Sequence, residues 1–125
     1  MSGLVQIFAF GGGGFTHAQE GGVSDALLEE RLLSLAGPVA QVNIGYIGHA
    51  NNDNIDRIEA FHKRFADCAR TTHLPITASA SMAKDFLQGL DILYVGGGTT
   101  TAMLSHWRAS GIADLLFAAV RRGLI

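Results

Sequence analysis

The sequence predicts an α/β fold of three layers, a mostly parallel sheet with helices on both faces. Three observations carry this expectation. Short, almost unbroken apolar runs alternate with segments whose apolar residues recur at helical spacing. The alternation continues along the chain, which is the pattern of strand–helix–strand crossovers and not of hairpins. Glycine clusters stand directly after two of the apolar runs, at the strand ends where such sheets bind ligands.

In chain order, residues 4–10 (LVQIFAF) read as a strand buried on both faces, ended by Gly11-Gly12-Gly13-Gly14. Ser24 can cap a helix from Asp25 whose Leu28, Leu32, Leu35 and Ala36 share one face, and Gly37-Pro38 stops it. Residues 42–48 (VNIGYIG) form the second strand. Asp53 or Asn54 starts the next helix, with Ile58, Phe61, Phe65 and Cys68 as its core face. Residues 74–79 are a weaker third strand, and a short helix spans 82–87. Residues 90–95 (LDILYV) are the clearest strand and run into Gly96-Gly97-Gly98-Thr99. A helix over 101–109 presents Met103 and Trp107 on one face. Ile112, Leu115, Leu116, Ala119 and Val120 give the stripe of the last helix, and Gly123-Leu124-Ile125 begins a further strand.

The length of 125 residues is that of one domain, residues 1–125. With 48% hydrophobic and 16% charged residues, the chain has enough apolar content for a core and is not disordered. A net charge of −2 without a run of either sign gives no bulk attraction to nucleic acid or to an anionic membrane surface. The single cysteine, Cys68, excludes an internal disulfide framework. Neither a signal peptide nor an apolar run near the roughly 20 residues of a membrane span is legible, so a cytoplasmic protein is expected.

The glycine clusters are the chemically informative motifs. Gly96-Gly97-Gly98-Thr99 joins a strand to a helix. Consecutive glycines let backbone N–H groups converge, and the helix N-terminus adds partial positive charge, so the turn can hold an anion or a developing oxyanion. A tight turn with Thr99 or Thr100 as helix cap would use the same residues. In the first cluster Gly12 and Gly14 fit the dinucleotide fingerprint, but its third position is His17, and Gly48-His49 stands where an acidic residue is needed. The absence of a Gly-Lys pair excludes a Walker loop. His17, His49 and Asp53 fit either a metal set or polar loop residues, without diagnostic spacing. Gly22-Val23-Ser24-Asp25-Ala26 lacks the strand that a nucleophile elbow requires, so Ser24 reads as a cap. Cys68, on an apolar helix face, reads as a buried thiol.

Phe8-Ala9-Phe10-Gly11-Gly12-Gly13, residues 44–48 (IGYIG) and above all residues 92–100 (ILYVGGGTT) resemble the peptidase E (aspartyl dipeptidase) family. Its members are serine peptidases on a flavodoxin-like, class I glutamine amidotransferase-like fold, related to cyanophycinases. The resemblance covers the N-terminal half of a typical member. It implies a sheet truncated at its last strand and a chain that is the N-terminal part of a larger peptidase domain. It implies hydrolysis of short, Asp-containing peptides, with Gly98 and Gly97 supplying oxyanion-hole N–H groups. Thr99, Gly12 and Gly13 would line the substrate site, with no metal and no cofactor.

Two departures accompany the resemblance. Thr99 stands where the family carries Asn, and the chain ends about one strand length before the expected G-x-S-A-G elbow. No catalytic triad can be assigned, so the polypeptide is expected to be inactive alone. The alternatives are a non-catalytic module binding a small anion, a nucleotide or a partner, and an amidotransferase-like enzyme with Cys at the elbow. An uncovered sheet edge, with apolar side chains from the last helix and Trp107, predicts self-association or pairing with the missing C-terminal half.

Overall fold

The computed structural model describes residues 6–7, 30–36 and 41–125. Strand β1 (Val42–Ile47) is the centre of the sheet, with Ile44, Tyr46 and Ile47 fully buried. Strand β2 (Ala69–His73) runs parallel to it on one side, with Val42 opposite Ala69 and Tyr46 opposite His73. Strand β3 (Ile92–Val95) runs parallel on the other side, with Ile44 opposite Ile92 and Ile47 opposite Val95. The order β2-β1-β3 among the described residues requires the crossover helices that the sequence supplies.

Alternation along β1 separates two cores. Ile44 and Tyr46 join Ile92 and Tyr94 on one face, where helix α1 (Ile55–Phe65) inserts Ile58, Phe61 and Phe65. Leu32, from the helical residues 30–34, completes this layer. Each such large apolar side chain is worth roughly 1.5–3 kcal/mol when buried. Ile47 faces the opposite layer, against Ala83 of helix α2 (Ala80–Gln88), Met103 and Trp107 of helix α3 (Thr100–Ser110), and Ile112 of helix α4 (Ile112–Arg121). Gly111, at φ 84°, joins α3 to α4. The expected three layers are therefore present.

The helix starts follow the polar residues of the sequence. The Asn54 side chain accepts hydrogen bonds from the N–H groups of Asp56 and Arg57, and Ser79 accepts from Met82. Past α4, Leu124 is buried and Ile125 docks on the outer edge of β3. Its N–H donates to the Asp91 carbonyl at 3.2 Å, and its own carbonyl accepts from the Leu93 N–H at 2.7 Å. This pair of bonds is the parallel pattern, so Ile125 lies against the outer edge of β3 in the manner of a paired strand residue.

Several expectations are corrected. The third strand lies at 69–73 and not at 74–79. Its sequence, ARTTH, is polar because β2 is the last strand on its side among the described residues, with Arg70, Thr72 and His73 exposed. Helix α1 ends at Phe65, so Cys68 falls in the turn before β2 and is exposed, not buried. Trp107 is 7% exposed and belongs to the core, whereas Phe117, outside the expected stripe of the last helix, is 68% exposed. The strand expected over 4–10, the Gly11–Gly14 cluster and the Ser24 cap lie outside the described residues, apart from Gln6 and Ile7. Among the described residues no helix is long and apolar enough to cross a membrane.

Candidate active site

The carboxyl ends of β1 and β3 meet at the Gly96–Gly98 turn. Gly96 lies against the ring of the buried Tyr46, and a Cβ there would collide with the Tyr46 hydroxyl. Its N–H donates to the Ile47 carbonyl at 3.0 Å, which extends the β1–β3 ladder into the turn. Gly98 adopts φ 148°, where a side chain is strained, and a Cβ would run into the Ala50 carbonyl. Thr99 N–H donates to that same carbonyl at 2.6 Å.

The peptide joining Gly97 to Gly98 is held from one side. The Gly97 carbonyl accepts from Asn51 Nδ2 at 3.0 Å and from Arg57 Nη1 at 3.3 Å. Asn51 is itself oriented, since its Oδ1 accepts from the Asn54 N–H at 2.9 Å. In a trans peptide the C=O and the following N–H point in opposite directions. Fixing the Gly97 carbonyl therefore turns the Gly98 N–H away from Asn51 and Arg57. The N–H groups of Gly97 and Gly98 have no partner among the described residues, and the space beside Gly97 Cα is open to at least 4 Å.

Helix α3 begins immediately after this turn. Thr99 occupies its N-cap position and is exposed, yet its side chain makes no capping hydrogen bond. The first-turn N–H groups and the helix dipole thus remain available beside the turn. The arrangement can stabilise a single negative charge on a small oxygen. A cavity of about 420 Å³ lined by Leu87, Asp91, Arg122 and Ile125 lies elsewhere, on the side where β3 begins, so it is not part of this site.

Of the residues singled out from the sequence, Gly97, Gly98 and Thr99 come together here. Gly12, Gly13 and His17 lie outside the described residues. Asn51 and Arg57 were not singled out. The signal for Asn51 is weak, a polar run, HANNDN, at the carboxyl end of an apolar strand, and Arg57 lies outside that run.

His49 and Asp53 are structural. Asp53, at φ 55°, closes the turn after β1, and its Oδ2 accepts from the Ile76 N–H at 2.7 Å. His49 is 3% exposed, not a loop residue in solvent. Trp107 Nε1–H donates to its Nδ1 at 2.9 Å, so Nε2 carries the proton and faces the Leu74 carbonyl at 3.0 Å. Burial pushes the His49 pKa below the ordinary histidine value. No group of three or more His, Cys, Asp or Glu suited to a metal occurs among the described residues.

Comparison with known proteins places the chain in a peptidase family. The sequence pattern of peptidase family S51 matches residues 7–125. The chain is 29% identical over 125 residues to an uncharacterized peptidase, YgaJ, of Bacillus subtilis (strain 168), covering 98% of this chain and 52% of that protein. A 1.5 Å crystal structure of a candidate peptidase E protein from Listeria monocytogenes EGD-e superposes with a TM-score of 0.61 at 23% identity, over 75% of this chain and 50% of the other. The fold is therefore peptidase E-like, and the chain spans about half the length of these relatives.

Proposed function

We propose, because the chain belongs to peptidase family S51, that the turn between β3 and α3 is the oxyanion hole of a serine peptidase acting on short peptides. The observation that carries this reading is the Gly98 N–H, turned outward by the hold of Asn51 and Arg57 on the Gly97 carbonyl. When a serine oxygen adds to the scissile carbonyl, negative charge gathers on the carbonyl oxygen. A prearranged N–H meets it without reorganising, and the N-terminus of α3 adds to the field. On this reading Thr99, Gly12 and Gly13 line the substrate site, and Asp-containing dipeptides are the first substrates to test. The nucleophile and its base belong to the half of the domain beyond Ile125, so residues 1–125 are inactive by themselves. A cytoplasmic location suits a chain with a single, exposed cysteine.

The test is kinetic. The whole protein, with its reading frame continued past Ile125, is expected to hydrolyse Asp-containing dipeptides. Gly98→Ala, which drives a methyl group into the Ala50 carbonyl, should lower kcat roughly 10²–10³-fold with little change in KM. The 125-residue polypeptide should match background hydrolysis. Full kcat in Gly98→Ala, or no hydrolysis by the whole protein, would end this reading.

A further inference from the structure

A second group of chemistry-bearing side chains lies two strands from the glycine turn. His62 projects from α1 beside the buried Phe61, and Thr71 and His73, two residues apart, share one face of β2. His62 Nδ1 lies 2.8 Å from Thr71 Oγ1, and His62 Nε2 lies 2.9 Å from His73 Nδ1. The two rings stand 5.1 Å apart at 70°. His73 is exposed, so solvent ions reach the pair.

We propose that His62 and His73 form a docking site for an exchangeable divalent transition metal, Cu²⁺ ahead of Ni²⁺ and Zn²⁺. Metal–nitrogen bonds of about 2.0–2.1 Å place neighbouring ligand nitrogens roughly 2.9–3.4 Å apart. The 2.9 Å contact, a hydrogen bond between the two rings in the metal-free protein, already holds the nitrogens at that spacing, and both residues sit on elements anchored in the core. With the His62 proton on Nδ1 and donated to Thr71 Oγ1, the lone pair of Nε2 faces His73, which is the orienting contact typical of a ligand histidine. In the metal-free pair His73 Nδ1–H donates to His62 Nε2; when a metal binds, that hydrogen bond breaks and the proton moves through solvent to His73 Nε2, so both inner lone pairs become available without net loss of a proton. No third His, Cys, Asp or Glu joins the pair among the described residues, so water completes the coordination. Two imidazoles favour copper by the general affinity order of these metals.

The site is independent of the peptidase reading, and its test does not use activity. Cu²⁺ titrated into the full chain should give an electron paramagnetic resonance spectrum with coupling to two nitrogens. His62→Gln and His73→Gln should each weaken binding roughly tenfold or more, and Thr71→Val should weaken it less. In the unmodified protein, substoichiometric Cu²⁺ should broaden the His62 and His73 ring resonances before those of any other histidine, a result that does not depend on a variant folding. Absence of binding, unchanged affinity in the double variant, or broadening centred elsewhere would each overturn the proposal.

Discussion

Asn51 does more for the glycine turn than its place in the sequence suggests. It ties the end of β1 to the Gly97 carbonyl and braces itself on the start of α1. Replacing it with Ala leaves Arg57 at 3.3 Å as the other hold on that carbonyl. The Gly97–Gly98 peptide then gains freedom to rotate. On the oxyanion-hole reading proposed above, Asn51→Ala in the whole protein should lower kcat about 10–100-fold while KM changes less, because only the developing oxyanion would use the fixed N–H. Equal losses in binding and turnover would reduce Asn51 to a structural role. The bond joins residues 46 apart in sequence, so no local pattern announces it.

His49 gives a residue-scale prediction about pH. Its pKa is lowered in the folded state by burial, and the Trp107 N–H occupies the nitrogen that would take the second proton. The unfolded chain therefore binds this proton more readily. Stability is complete above the ordinary histidine range and falls as pH drops through it, with a slope of at most about 1.4 kcal/mol per pH unit for one proton. Denaturant melts across mildly acidic pH should show this decline. Trp107→Phe, which removes the blocking donor, should make it shallower.

Elements differ in how openly the sequence declares them. β1 and β3 are apolar because helices cover both their faces, and they stand close to where periodicity puts them. The strand ARTTH carries no such pattern. Its identity comes from the ladder it makes with β1, a long-range pairing that local composition does not record. Helix starts are more legible because a cap is a local device. Asn54 accepts from two N–H groups of the first turn of α1, so Asn54→Ala should cost roughly 0.5–2 kcal/mol. Chemical denaturation measures the loss, and Asn54→Asp should recover most of it.

For the whole molecule, the feature that governs behaviour is the side of the sheet beyond β3. Ile125 supplies two backbone bonds there, while Val95 on the same strand is 41% exposed and Phe117 of α4 is 68% exposed. Unpaired strand edges beside apolar side chains favour association. On the reading proposed above, light scattering on the 125-residue polypeptide should therefore report a self-associated species, or a complex with a remaining part of the domain if one is present. A stable monomer at high concentration would show that this edge is sealed by other means. The sequence made the layered α/β architecture legible because burial on both faces leaves a strong imprint. The hold on the glycine turn left almost none, since it is assembled from loops that meet only when the sheet forms.

The docking of Ile125 also acts as a ruler. Its two bonds set it opposite Ile92, and Gly96 follows four residues later, just past the end of β3. Parallel strands advance in step, about 3.3 Å per residue. Any strand continuing from Ile125 would thereby be indexed against β3, with its third residue level with Val95, the last residue before the glycine turn. Backbone pairing at the start of β3 would thus set the register in which such a strand meets the glycine turn at the other end.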